Sequence, residues 1–372
     1  MIVLQPSDPL AVRFLAGECY QMGMGADGCL PDEARIVWSY LCQAIEHPIS
    51  LEVSQAIGER TADSGPVAVP SLVARGCSQS TLALHTSGTT GKPQRCEHQL
   101  SAVLEAKRKG ESHERWLLTF APFRWAGLSV MLHVLKAEAI LIVPSDLDPQ
   151  AMIQAGIDGS TSHISLTPSM FKRWKLTCKE DALRALPVSQ VTFGGEAASQ
   201  AVLDAAKCLW PEARVTHVYA ASEFGDVCGV SDGQEGVPRR KFEREPFRIS
   251  DEDELFIDER STGDIWQLRG ERYVFFGRTE EVINVGGAKV SPFDVERAAL
   301  GIQGLMDARA FAIPSPLLGQ LVGLEYSGAV DELTVKKAMR LSLPKVACPA
   351  EVKRVEKIDL TDAGKTRRQI SL

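Results

Sequence analysis

A run of small and hydroxyl-bearing residues ending in one lysine could bind phosphate. It directly follows an apolar, β-rich segment at Thr81–His85. The residues of the run are Thr86, Ser87, Gly88, Thr89, Thr90, Gly91 and Lys92. Glycine lets the backbone approach a ligand closely, and backbone N–H and hydroxyl groups donate to phosphate oxygens. The run therefore predicts a loop for the phosphates of a nucleotide, although an ordinary Ser/Gly/Thr turn has the same composition.

The run is neither of two common nucleotide motifs. A Walker A loop needs glycine where Thr86 stands and serine or threonine where Pro93 stands. A dinucleotide-binding fold needs a G-x-G-x-x-G turn after an early strand, and the sequence has none there. These patterns exclude an ordinary P-loop and argue against a dehydrogenase.

Two further polar segments each follow a β-rich run, where ligands of α/β sheets collect. The first is Gly194-Gly195-Glu196-Ala197, and the second runs from Tyr219 to Glu223. A carboxylate such as Glu223 suits Mg²⁺, which takes oxygen ligands from protein and from substrate phosphates. Later, Asp264 precedes a strand candidate and could accept from two vicinal hydroxyls, while Arg278 offers a rigid fork of donors.

In their order along the chain, these motifs resemble the adenylate-forming superfamily of acyl-CoA synthetases, nonribosomal-peptide adenylation domains and luciferases. The family loop reads T-S-G-T-T-G-x-P-K-G, and here Gln94 and Arg95 replace its last two residues. The resemblance implies that ATP and Mg²⁺ activate a small carboxylic acid as its acyl-adenylate. The acyl group would then pass to a thiol, either CoA or the phosphopantetheine of a separate acyl carrier protein.

The resemblance also implies roles for single residues. Residues 86–92 would hold the phosphates, and Gly194, Gly195, Glu196 and Ala197 would lie along the adenine and the acyl group. Tyr219 would stack on adenine, Ser222 would contact the α-phosphate and Glu223 would hold Mg²⁺. Asp264 would bind the ribose hydroxyls, and Arg278 would reach the same sugar or its phosphate.

The C-terminal motifs imply a mobile lid. Glu280 falls at the family's hinge position, and Gly286 and Gly287 would line the entry for a pantetheine arm. Lys365 matches the lysine of the closing S-G-K-x-x-R element. A lysine on a mobile loop can bridge the carboxylate nucleophile and the α-phosphate as pyrophosphate leaves, so Lys365 is the predicted catalytic residue.

The substrate is less defined. Arg124 aligns with a histidine that in relatives lies near the acyl and pantetheine channels. A buried cation is a poor neighbour for a purely apolar chain, so Arg124 favours a short, polar or aromatic acid, unless it pairs with a carboxylate of the fold. Among members of the family, the chain most resembles a compact acyl-CoA synthetase such as the o-succinylbenzoate–CoA ligase type.

Alternating β-rich and helix-like segments must position these residues. They predict an α/β fold with a largely parallel sheet, then an antiparallel meander at Glu254–Asp258, Asp264–Leu268 and Tyr273–Phe276. Residues 1–277 are predicted as an AMP-binding domain and 278–372 as an α+β lid. About 80 residues precede the phosphate loop, which suggests an abbreviated N-terminal subdomain.

Composition fits a cytoplasmic enzyme. A net charge of −7 gives no general attraction to nucleic acid, and no apolar run is long enough for a membrane span or resembles a secretion signal. The nine cysteines show no metal-ligand spacing. The alternative is a non-catalytic nucleotide-binding or scaffold protein derived from the same family, which loss of Lys365, Glu223 or Asp264 would favour; all three are present.

Overall fold

The structure is a computed structural model that describes part of the chain. The described residues are 2–4, 20–23, 37, 41, 49–57, 68–76, 81–86, 94–107, 109–122 and 124–358. They divide into two compact units: one takes in residues 1–167, 173–195 and 205–232, and the other takes in 168–172, 196–204 and 233–372. The predicted boundary between residues 277 and 278 falls inside the second unit and stays a prediction.

The first unit carries two sheets and the helices that cover them. Its strands in chain order are β1 Ile2–Leu4, β2 Tyr20–Gly23, β3 Ile49–Ile57, β4 Ala68–Gly76, β5 Thr81–Thr86, β6 Gln94–Gln99, β7 Arg115–Leu117, β8 Ile140–Val143, β9 His163–Leu166, β10 Gln190–Phe193, β11 Arg214–Ala221 and β12 Gly225–Val230. Its helices, some shared with the second unit, are α1 Leu100–Ala106, α2 Trp125–Ala137, α3 Pro149–Asp158, α4 Pro168–Thr177, α5 Glu180–Arg184 and α6 Gln200–Leu209.

The larger sheet has seven strands in the order β1-β8-β7-β9-β10-β11-β12. Strands β8, β7, β9, β10 and β11 are parallel, and only the two edge strands run antiparallel. Ile142, Leu117, Ile164 and Val191 are fully buried in successive strands, as expected when helices cover a parallel sheet. The predicted α/β fold with a largely parallel sheet is confirmed.

A buried polar cluster lies beside β7. Glu114 is 3% exposed and accepts from Nε1 of Trp116 at 2.8 Å. Nε2 of His133 lies 3.3 Å from the same carboxylate, and Nε2 of His163 lies 3.7 Å from its other oxygen. Both imidazoles also pack on the indole of Trp116, with ring centroids 4.8 and 4.9 Å away. One carboxylate thus accepts from the Trp116 indole and lies close to two imidazoles inside the fold.

Replacing Glu114 with alanine is expected to destabilise the protein by about 2–4 kcal/mol, because buried donors lose their acceptor. Urea unfolding measures the loss. The matched control is Glu111→Ala, since Glu111 pairs with His113 at 3.2 Å on the surface and should cost under about 1 kcal/mol. Equal losses in the two variants would remove the structural role assigned to Glu114.

The second unit carries two further sheets of five strands each. Its remaining elements are β13 Val237–Pro238, α7 Arg239–Phe242, β14 Phe247–Ile249, β15 Glu254–Ile257, β16 Arg260–Arg269, β17 Arg272–Arg278, β18 Ile283–Val285, β19 Ala288–Val290, α8 Pro292–Leu300, β20 Leu305–Ser315, β21 Gly319–Gly328, α9 Glu332–Ser342 and β22 Glu351–Arg354. Strands β14 to β17 pair antiparallel in sequence, so the predicted meander is confirmed.

Both helices of the last sheet begin at side-chain caps. Ser291 accepts from the Asp294 amide before α8, and Asp331 accepts from the Thr334 amide before α9. The hydroxyl and amide of Thr334 hold the pKa of Asp331 below its ordinary value, because both donate to the charged carboxylate. Capping fixes where the apolar faces of these helices start, and Val295 and Val335 are fully buried under the sheet.

Candidate active site

The carboxyl ends of β9, β10 and β11 form one edge of the seven-stranded sheet. Leu166, Phe193 and His217 are register partners near that edge. Gly194 follows β10, and the turn containing Ser222 and Glu223 follows β11. Two sequence-predicted segments therefore meet at the edge where open α/β sheets bind ligands.

The turn after β11 leaves one carboxylate available. Glu223 is partly buried and makes no hydrogen bond or ion pair with any described residue. The preceding strand has a register shift between Tyr219 and Ala220, and Gly225 adopts a φ of +74° where the chain returns as β12. Such bulges are typical of strands that redirect side chains beside a site.

His98 fixes the backbone of this turn from another strand. Its Nε2 lies 2.6 Å from the carbonyl oxygen of Ser222. A carbonyl can only accept, so Nε2 carries the proton and donates. Strand β6, which contains His98, follows the predicted phosphate loop in sequence. The contact therefore links the segment after that loop to the Ser222–Glu223 turn.

The two glycines after β10 are favoured for different reasons, a close contact at Gly194 and a left-handed backbone at Gly195. A Cβ added to Gly194 would lie 2.9 Å from Cγ2 of Val218, and Gly195 has a φ of +78°. Beyond them, Glu196 accepts from the Ser169 amide at 2.9 Å, at the start of α4, while Ala197 is exposed. A carboxylate at a helix N-terminus is favourable because the helix dipole is positive there.

The predicted ribose residues lie side by side in the second unit. Asp264 in β16 is the register partner of Arg278 in β17, and Arg278 Nε lies 3.3 Å from the Asp264 carboxylate. Asp264 is 9% exposed, and its amide donates to the Thr262 hydroxyl at 3.1 Å. Strand pairing thus brings together two residues that the sequence separates.

The predicted hinge and channel residues follow Arg278 along the chain. Glu280 is exposed after β17, with its carboxylate 3.8 Å from Nε of Arg278. Gly286 and Gly287 form the two-residue turn between β18 and β19, with φ of +59° and +91°. Positive φ at both positions is the pattern of a type I′ hairpin. Asn284 accepts from the Gly287 amide at 2.8 Å and so fixes this turn.

Several predicted site residues lie outside the described residues. Thr86 ends strand β5, but Ser87, Gly88, Thr89, Thr90, Gly91 and Lys92 and the catalytic candidate Lys365 are not described. Arg124 is described as the partly buried residue before α2. The roles of all these residues stay predictions.

A cavity of about 140 Å³ lies within the first unit. Its walls come from β6, α1, the start of α2 and the turn that leads into β12. The residues that line it are His98, Gln99, Ala102, Val103, Ala106, Lys107, Trp125, Phe224, Gly225 and Asp226. Because Phe224 directly follows Glu223, the cavity adjoins the predicted Mg²⁺ carboxylate.

Lys107 and Asp226 form an ion pair in the cavity wall. Nζ of Lys107 lies 2.6 Å from Oδ2 of Asp226, and the lysine side chain is 4% exposed. Nζ also donates to the Ser129 hydroxyl and lies 5.7 Å from the Trp125 ring centroid. His98 packs on the same indole, with centroids 4.9 Å apart. The cavity therefore combines aromatic rings with one neutralised charge pair.

The family is shown by comparison with known proteins. A family model described as AMP-binding enzyme matches residues 51–254, more than half of the 372-residue chain. The chain belongs to this family, and its predicted membership of the adenylate-forming superfamily is confirmed.

Several curated relatives are ligases. The 2-succinylbenzoate–CoA ligase of Listeria monocytogenes is 22% identical over 327 residues, which cover 78% of this chain and 69% of that protein. The 3,4-dihydroxybenzoate–[aryl-carrier protein] ligase of Bacillus anthracis is 30% identical over 96 residues, 26% of this chain. The match covers only 23% of that second protein, so the chain spans about a quarter of its length.

Solved structures share the fold. An E. coli MenE with bound OSB-AMS matches with a TM-score of 0.61 and 19% identity, over 80% of this chain and 72% of that one. The anthranilate CoA ligase AuaEII in complex with anthranoyl-AMP matches with a TM-score of 0.66 and 14% identity, over 78% and 67%. Within the described residues, no helix is both long and apolar enough to cross a membrane.

Four residues at this site belong to no sequence motif that predicts them: His98, Lys107, Trp125 and Asp226. His98 and Ser222 stand 124 positions apart, and Lys107 and Asp226 stand 119 apart. No local spacing joins such residues, because the fold alone brings β6 and α1 to β12. The one usable signal was the position of Asp226, three residues after Glu223.

Proposed function

We propose that this protein joins a carboxylic acid to AMP and then transfers the acyl group to a thiol. In the first step a carboxylate oxygen attacks the α-phosphorus of ATP, and pyrophosphate leaves with the electrons of the broken P–O bond. In the second step the thiol attacks the acyl carbon, releasing AMP and a proton. The observation that carries the proposal is the carboxyl edge of the parallel sheet, where the Gly194 segment and the Ser222–Glu223 turn follow neighbouring strands.

Mg²⁺ fits the residues present at that edge. The ion takes one or two protein carboxylates and completes its shell with water and phosphate oxygens. Glu223 has no partner among the described residues, so its oxygens are available to such an ion. Bound there, Mg²⁺ would neutralise phosphate charge. Glu223 would hold it, and the Ser222 backbone, fixed by His98, would keep the carboxylate in place.

The remaining roles follow the resemblance and the relatives. Tyr219 would stack on adenine, Lys365 would bridge the carboxylate and the α-phosphate, and Glu280 would be the hinge of the lid. The thiol is CoA or the phosphopantetheine of a separate carrier protein, with Gly286 and Gly287 at its channel. One relative is named for CoA and another for a carrier protein, so both acceptors are supported. Turnover with and without CoA distinguishes them.

Pyrophosphate release tests the proposal. The purified protein is incubated with MgATP and a panel of aliphatic, aryl and amino acids, with and without CoA. We expect release that depends on one class of acid, and turnover that rises when the correct thiol is added. ATP binding without release for any acid would favour the non-catalytic alternative.

Asp264→Asn is expected to raise the KM for ATP about tenfold to a hundredfold, because the ribose hydroxyls would lose a charged acceptor. Removing one ribose hydroxyl, as in 2′-deoxy-ATP or 3′-deoxy-ATP, should weaken binding to wild type but add little to the loss in the variant. The control is Asp258→Asn, in an exposed turn of the same sheet, where Asn tolerates the φ of 48°. Fully additive losses with both analogues would show that Asp264 does not contact the ribose.

A further inference from the structure

The cavity beside the Glu223 turn has a volume that can hold one aromatic ring. Its volume is about 140 Å³, and an engineered protein cavity of about 150 Å³ binds benzene. As far as the described residues enclose it, this space is too small to surround an extended fatty chain. The volume therefore favours a short acyl group.

The walls of the cavity suit a planar ring. The indole of Trp125 and the imidazole of His98 both line it, tilted by 34° to one another. Aromatic rings stack offset or pack edge to face, so two rings in the lining are favourable partners for a third. Phe224 adds a further aromatic side chain to the lining.

The charge pair sets the polarity of the ligand. Oδ2 of Asp226 accepts from Lys107, while Oδ1 has only the Ser129 hydroxyl at 3.5 Å, a long contact. Oδ1 therefore keeps capacity to accept from an O–H or N–H group. Because Asp226 already neutralises Lys107, a second carboxylate on the ligand would gain no free cation among the described residues that line the cavity, and it would meet a like charge.

We propose that this cavity holds the acyl group, and that the substrate is a single-ring aromatic carboxylic acid bearing a hydroxyl or amino group that donates to Asp226. This inference rests on the proposed function. The ring lies against Trp125 and His98, and its reacting carboxylate is directed to the turn at Ser222 and Glu223. Asp226 acts as a specificity residue, and Lys107 holds it in place.

ATP–pyrophosphate exchange with matched acids tests the inference. The panel contains the positional isomers of hydroxybenzoate and aminobenzoate, their methoxy counterparts, benzoate, decanoate and a benzene dicarboxylate. We expect kcat/KM for at least one hydroxy or amino isomer to exceed that of its methoxy counterpart by about tenfold to a hundredfold. Decanoate and the dicarboxylate should be poor substrates. A preference for either of them would overturn the assignment.

Asp226→Asn should reduce that preference at least about tenfold, measured as the ratio of kcat/KM for the hydroxy or amino acid to kcat/KM for its methoxy counterpart. A loss shared by all acids, caused by the buried Lys107 charge left without its partner, cancels in this ratio. The matched control is Asp307→Asn, because Asp307 pairs with Lys172 at 3.3 Å outside the cavity and should leave the preference unchanged. A preference that survives in Asp226→Asn would exclude Asp226 as its source.

Calorimetric binding of the same acids separates failure of this inference from failure of the proposed function. If no acid supports exchange, the proposed function fails, and the relative affinities of hydroxy, amino and methoxy acids still test the cavity. Equal affinities for the three would overturn the ligand assignment in either case.

Discussion

Lys365→Ala is expected to lower acyl-adenylate formation on the order of 10³-fold, while thioester formation from supplied acyl-adenylate falls much less. The lysine would balance negative charge that grows as the carboxylate approaches the α-phosphate and pyrophosphate departs. Preorganised donors of this kind are worth about 10²–10³ in rate each. Single-turnover pyrophosphate release measures the first half-reaction, and thiol consumption with synthetic acyl-adenylate measures the second.

The control for this variant is Lys357→Ala, which removes an exposed lysine from the same end of the chain. It should leave both half-reactions near wild type. Equal loss of the two half-reactions in Lys365→Ala would contradict a lid that presents different faces to the two steps.

Glu223→Gln is expected to lower kcat/KM for MgATP on the order of 10²-fold and to raise the Mg²⁺ concentration needed for half-maximal rate. Glutamine keeps the shape of the side chain and one oxygen, but it removes the charge that a hard cation prefers. The measurement is a Mg²⁺ titration of ATP–pyrophosphate exchange at saturating acid.

Glu180→Gln supplies the comparison, since Glu180 pairs with Arg184 at 2.6 Å on the surface of α5. Its Mg²⁺ requirement should match that of wild type. If Glu223→Gln lost rate with an unchanged Mg²⁺ requirement, the carboxylate would act on another part of the reaction.

Much of the fold could be predicted from the sequence, because local patterns determine it. The apolar patterns predict a strand at His163–Leu166 and a helix at Gln200–Leu209, and both match the observed elements residue for residue. They also predict helices at Ser291–Leu300 and Asp331–Ser342, but Ser291 and Asp331 instead cap these helices from the preceding position. A capping side chain accepts from the first amides of a helix, so its residue stands just before the helical backbone begins.

Residues of the site could be predicted only where they belong to a recognisable sequence motif. Asp264 and Arg278 were each singled out, and strand pairing brings them together. His98 and Asp226 were not, because each acts on a partner more than a hundred positions away. Likewise, nothing near Asn284 in sequence reveals that its side chain holds the Gly287 turn.

When an acid is activated as its acyl-adenylate, one of its carboxylate oxygens becomes bonded to the α-phosphorus and stays on AMP. Transfer of oxygen-18 from the acid to AMP therefore tests the proposed reaction most directly. The protein is incubated with ATP, CoA or another thiol, and an acid labelled with oxygen-18 in both carboxylate positions, and the nucleotide product is analysed by mass spectrometry. An acyl-adenylate route predicts AMP that carries one oxygen-18 atom. ADP as the product, or label in inorganic phosphate with none in AMP, would contradict it.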